Sequence, residues 1–94
     1  MKTEQEKLEY LNQELDTDYN SLDEVNWWYI AREQKLTEKF IRMFQDKLDW
    51  SAISLYQILS EDFMREMKDY VNWNYIAEFH TLSKELSDYI KELE

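Results

Sequence analysis

The sequence predicts an all-α protein built from tandem repeats. Three observations carry that prediction: a tryptophan recurring every 23 residues, a polar cap before each of them, and no glycine or proline anywhere. Trp27, Trp50 and Trp73 set the period, and Ile30/Ile53/Ile76, Leu36/Leu59/Leu82 and Thr37/Ser60/Ser83 keep step with them. Asn26/Asp49/Asn72, Ala31/Ser54/Ala77, Gln34/Gln57/His80, Phe40/Phe63/Leu86 and Phe44/Met67/Ile90 keep their chemistry if not their identity. A unit this short cannot bury its apolar side alone, so each copy needs its neighbours. The expected architecture is an N-terminal capping helix followed by three two-helix units in a short α-solenoid or compact helical array. It forms one domain over residues 1–94: capping helix and connector in 1–24, then units 25–47, 48–70 and 71–94.

Each element has its own local signal. Thr3 and Glu6 form a capping box for a helix carrying Leu8, Leu11 and Leu15; residues 16–20 read as an irregular connector, and Ser21 with Glu24 as a second box. In every unit an Asn or Asp precedes the tryptophan, and Val25/Ile30, Leu48/Ile53 and Val71/Ile76 have the spacing of a hydrophobic staple across that cap. Thr37, Ser60 and Ser83 cap a second helix; Leu36/Ile41 and Leu59/Met64 staple it, and Ser87 breaks the third staple. Each unit therefore reads as a helix of about eight to ten residues and another of about ten to twelve. Phe40, Ile41, Phe44 and Leu48 make an i, i+1, i+4, i+8 stripe; Phe63, Met64, Met67 and Val71 repeat it, and Leu86, Ile90 and Leu93 thin it, as suits an end facing water.

Composition excludes whole classes of chemistry. Without glycine, positive-φ turns and the loops that cradle phosphates are lost, which argues against nucleotide chemistry of those types. Without cysteine there is no disulfide, thiolate or Cys-zinc site. No carboxylate spacing resembles a metal-binding helix or a calcium loop, so neither metal nor cofactor is expected. No apolar run nears the ~20 residues of a membrane span, and the start MKTEQEKLEY lacks the apolar core of a secretion signal, so the cytoplasm of the producing or host cell is the expected location. A net charge of −10 opposes nucleic acid and anionic membranes and favours a protein partner with a basic surface.

A tryptophan in phase with a cap and a staple reads as packing between units. Trp28 differs, because its column runs Trp28/Ser51/Asn74 and the scaffold needs no aromatic there; Tyr29/Ala52/Tyr75 varies in the same way. Both are candidate apolar anchors for a partner. His80, the one histidine, stands where Gln34 and Gln57 stand, so its expected duty is hydrogen bonding within the scaffold rather than catalysis. No enzyme activity is expected.

Charge is uneven along the chain: residues 1–26 sum to −6, residues 27–48 to +2, and the remaining two stretches to −3 each. Glu9, Glu14, Asp16, Asp18, Asp23 and Glu24 are the candidate partner-binding carboxylates, with Trp28 and Tyr29 beside them. Written as a string, D/N-W-x-x-I-A/S-x-x-Q-x-L-S/T-E-x-F resembles short aromatic repeats in small proteins of bacteriophages, mobile elements and large DNA viruses. Trp50, Ile53, Ser54, Gln57, Leu59, Ser60, Glu61 and Phe63 fit it best; His80, Lys84 and Leu86 depart from it. For a phage-encoded chain, that resemblance implies an inhibitor of host defence, as anti-CRISPR proteins and DNA mimics are. The expected function is occlusion of the groove of a basic nuclease or CRISPR effector by an acidic, non-enzymatic binder. The alternative is a structural or adaptor protein that binds another protein, or itself, through aromatic contacts.

Overall fold

Seven α-helices and one 3₁₀ turn, with no strand, make up the described residues 2–93 of the computed structural model. The order is α1 (Glu4–Leu15), the 3₁₀ turn Leu22–Glu24, α2 (Trp27–Glu33), α3 (Glu38–Met43), α4 (Trp50–Tyr56), α5 (Glu61–Glu66), α6 (Trp73–Phe79) and α7 (Lys84–Glu92). Met1 and Glu94, the outer limits of the expected N-terminal segment and third unit, lie outside the described residues. The tryptophan-started helices α2, α4 and α6 recur at the 23-residue interval and pack in sequence, α2 on α4 and α4 on α6.

Side-chain caps start the helices of this glycine-free chain. Asn26, Thr37, Asp49, Ser60, Asn72 and Ser83 each accept a hydrogen bond from the N–H three residues on, satisfying one of the orphan donors of the first turn. Thr3 and Glu6 close the expected box, the Thr3 hydroxyl taking the Glu6 N–H and the Glu6 carboxylate taking the Thr3 N–H, both at 3.1 Å. The second box does not form. Ser21 accepts from Asp23 N–H at 3.0 Å, and the Glu24 carboxylate takes the Asn20 N–H at 2.9 Å, because the chain here tightens into a single 3₁₀ turn. The irregular connector is real, and Asp16, at φ 54°, is the described residue that turns left-handed. Asn12 organises it: its carboxamide oxygen accepts from the Thr17 hydroxyl and Tyr19 N–H, and its nitrogen donates to the Tyr19 carbonyl.

The helices are shorter than the pattern suggests. The first helix of each unit has seven residues; the second has six in the first two units and nine in the third. At Phe44 (φ −110°, ψ 23°) the chain leaves the α region, and the Lys47 and Leu48 N–H groups both bond back to the Phe44 carbonyl. Met67 repeats this with Tyr70 and Val71. Leu48 and Val71 thus reach the core on turns, not on the helices whose stripe they extend.

One core runs from Leu8, Leu11 and Leu15 of α1 through Ile30, Phe40, Ile41, Phe44, Ile53, Phe63 and Met64 to Ile76, Leu86 and Ile90. Each fully buried isoleucine of the period stabilises the stack by about 1.5–3 kcal/mol over its exposed state. Leu93, expected in the thinned stripe, is 48 % exposed, so that stripe ends at Ile90. Trp27, Trp50 and Trp73 are half-buried against the core and pair with Phe44, Tyr70 and Tyr89 at 5.3, 5.3 and 5.7 Å between ring centroids. The indole N–H of Trp50 donates to the Gln45 carbonyl and that of Trp73 to the Lys68 carbonyl. The tryptophan period is therefore structural.

Polar latches repeat with the same spacing. The Gln57 amide nitrogen donates to the Ala31 and Gln34 carbonyls at 2.8 and 2.6 Å, while its oxygen accepts from Leu36 N–H at 3.0 Å. His80 Nε2 meets the Ser54 carbonyl at 2.6 Å, the scaffold bond expected of that column. Glu38 accepts from Ser60 N–H and Glu61 from Ser83 N–H, each at 2.8 Å. Arg42 grips Glu66 with two bonds of 2.7 and 2.9 Å.

Candidate functional site

All six candidate carboxylates, Glu9, Glu14, Asp16, Asp18, Asp23 and Glu24, are exposed, yet they do not gather into one cluster. Glu9 and Glu14 lie five residues apart on α1, about 140° around the helix, so they face different directions. Asp16 and Asp18 sit in the connector past the C-terminus of α1. Asp23 and Glu24 occupy the 3₁₀ turn, and the neighbouring Asn20, Ser21 and Leu22 share a hollow with Glu4, Gln5 and Leu8 at the opposite end of that helix. The three ion pairs among the described residues are Arg32–Glu33, Arg42–Glu66 and Lys84–Asp88, so none of the six is neutralised by a neighbour. No group of three His, Asp or Glu side chains among the described residues has the arrangement of a metal site.

Trp28 and Tyr29 are exposed, at 46 % and 49 %, on the first turn of α2. Trp28 belongs to a larger feature. The Arg32 guanidinium lies 5.2 Å from the Trp28 ring and 5.7 Å from the Tyr56 ring, so one cation joins aromatics from α2 and α4. Such contacts stabilise by roughly 0.5–1 kcal/mol where solvent reaches them. One register on, Phe79 of α6 takes the place of Tyr56 and meets Tyr75 edge-on at 6.3 Å. Ile58, just past α4, is the most exposed large apolar residue, at 88 %. Tyr56 and Ile58 line an open hollow of about 360 Å³ together with Arg32, Lys35 and Leu36. Exposed apolar residues are ordinary singly; Trp28 and Tyr56 joined through Arg32, with Ile58 on the same hollow, have the composition of an interface anchor, and Phe79 holds the equivalent place one unit on.

Sequence reading named Trp28 and Tyr29 but missed Tyr56, Ile58 and Phe79. The signal was present. The columns Glu33/Tyr56/Phe79 and Lys35/Ile58/Thr81 place apolar side chains where other copies tolerate charge or hydroxyl, the same inconsistency that marks Trp28. His80 and the tryptophan period, in contrast, serve the scaffold.

Comparisons with protein-family models, with curated proteins and with solved structures give no match.

Proposed function

We propose that this chain is a non-enzymatic binding protein that docks on another protein through the row formed by Trp28, Arg32, Tyr56, Ile58 and Phe79. The observation that carries this reading is the Arg32 guanidinium bridging two exposed rings from neighbouring units, next to a hollow able to receive a side chain. Rigid aromatics lose little rotamer freedom on binding, and a stack of short helices holds them at fixed spacing. A photo-crosslinking residue placed at Tyr56 or Phe79, and in parallel at Glu14 or Asp18, tests it in the producing or host cell. Docking by the row gives crosslinks at Tyr56 and Phe79 that persist in high salt. Crosslinks confined to Glu14 and Asp18 overturn it.

The second reading is occlusion of a basic groove, in a host nuclease or CRISPR effector, by the acidic N-terminal segment acting as a nucleic-acid mimic. Six exposed carboxylates without cationic partners favour it, since a basic surface would relieve their mutual repulsion. Their spread over both ends of α1 weighs against a single contact patch. Charge reversal at Glu9, Glu14, Asp16, Asp18, Asp23 and Glu24 separates the two: it abolishes an occlusion activity and leaves docking by the row intact. Steep loss of binding with ionic strength is the matching signature.

A further inference from the structure

The hollow at the C-terminal ends of α2 and α4 is cationic in a chain that is strongly acidic. Arg32 and Lys35 line it against Glu33 alone, while the net charge of the whole protein is −10. The scaffold asks for neither cation, because their columns run Arg32/Leu55/Glu78 and Lys35/Ile58/Thr81. Neither is used up within the fold. Arg32 meets Glu33 through Nε at 3.3 Å, outside hydrogen-bonding geometry and with both side chains nearly half exposed. The rings of Trp28 and Tyr56 hold its guanidinium in place, yet leave the terminal N–H groups without an oxygen acceptor among the described residues. Lys35 is exposed and forms no ion pair among the described residues, although Glu14 shares a narrow crevice with it. The carbonyls of Ala31 and Gln34, whose negative ends oppose an acid here, are already taken by the Gln57 amide.

Resting on the reading that the chain docks through the Trp28 and Tyr56 rings, we propose that this hollow takes a polypeptide segment in which a carboxylate side chain stands beside a large apolar one. The apolar side chain packs against Tyr56, Ile58 and Leu36, and the carboxylate bonds the Arg32 guanidinium with Lys35 beside it. Arginine suits that task, since its planar fork takes both oxygens of one carboxylate and two rings already fix its position. The acidic remainder of the chain does not forbid the contact. At physiological salt the field of exposed charges fades within ~8 Å, so the groups at the hollow decide what binds there. An open hollow fits one side chain of a larger partner better than a small molecule, because small-ligand sites bury roughly 70–90 % of the ligand surface. The carboxylate adds to the apolar contact and does not replace it, so docking persists in high salt at reduced strength.

The test selects binders to the full chain from a displayed library of random short peptides, then titrates the selected peptides calorimetrically against the parent, Y56A, K35E and K68E. Lys68 lies outside the hollow, so K68E changes net charge as K35E does without touching the site. The expected peptides carry Asp or Glu within a few residues of Leu, Ile, Phe or Trp. Y56A and K35E each weaken them about tenfold, whereas K68E leaves them within about twofold. Peptides that need Tyr56 but carry no acid, or that bind K35E as well as K68E, overturn the carboxylate assignment and leave docking by the rings standing. Peptides indifferent to Y56A, or a selection that yields none, overturn both. Phenylbutyrate binding as tightly as the selected peptides also overturns the proposal, because the occupant would then be a small organic acid.

Discussion

Gln57 and His80 stand 23 residues apart in the same column, and each reaches back 26 residues to a carbonyl, Gln57 to Ala31 and His80 to Ser54. The glutamine makes three bonds where the imidazole makes one, since only the amide also satisfies the Gln34 carbonyl and the Leu36 N–H. Gln57→Ala strands three backbone groups between the first and second units and should cost about 2–3 kcal/mol. His80→Gln restores the second donor and the acceptor and should leave stability equal or higher. Urea unfolding of the two variants checks this; a His80→Gln protein much weaker than the parent would show that the ring does something the amide cannot.

A tryptophan of the 23-residue period and Trp28, which stands outside it, should differ sharply. Trp50→Ala removes a half-buried ring, its contact with Tyr70 and the bond to the Gln45 carbonyl, at a cost of about 3 kcal/mol. Trp28→Ala removes an exposed ring and its contact with Arg32 and should cost no more than about 1 kcal/mol. Equal losses in thermal unfolding would mean that Trp28 belongs to the scaffold and not to a binding surface.

Acid should weaken the stack through its carboxylate latches. The Ser83 hydroxyl, then its N–H, hold the Glu61 carboxyl below the usual carboxylate range; the Arg42 guanidinium does the same for Glu66, and the Thr3 N–H for Glu6. Folded values below unfolded ones mean that this stabilisation is complete above the ordinary carboxylate pKa and fades as pH falls through the lowered folded values. Glu61→Gln should therefore be weaker than the parent at neutral pH, and the gap should close in acid. A gap that stays constant down to about pH 3 would remove Glu61 from the account.

Tyr10 stacks on Phe40 at 6.1 Å under the Lys39 ammonium, which lies 5.5 Å from the ring. Its hydroxyl is buried without a hydrogen bond; Glu14 and Thr37 flank it but do not meet it in bonding geometry, and burial pushes the phenol above its ordinary pKa. Tyr10→Phe should leave stability unchanged or raise it by up to about 1 kcal/mol. A clear loss in calorimetry would reveal a partner for that hydroxyl.

The legible part of this fold lay in signals that act within one turn. A cap reads its own N3 amide and a staple joins residues five apart, so Asn26, Thr37, Asp49, Ser60, Asn72 and Ser83 announced their helices without tertiary information. Helix ends were harder, because Phe44 and Met67 are sound helix residues that leave the α region only where Leu48 and Val71 must turn back to the core. The part Asn12 plays in the connector depends on Thr17 and Tyr19 folding over it, which no periodicity encodes. The aromatic row was half legible. Trp28 stood out within its column, whereas joining it to Tyr56 needed the contact between α2 and α4 that places Arg32 between them.

The hydrogen bonds that tie one unit to the next span 18 to 26 residues, and none of these bonds links the first unit to the third. Tension applied at the two termini thus meets a series of separate clasps, broken one after another instead of all together. Drawn out between two beads, the chain should yield in a staircase, each tread releasing about 80 Å of extended backbone before the next clasp takes the load.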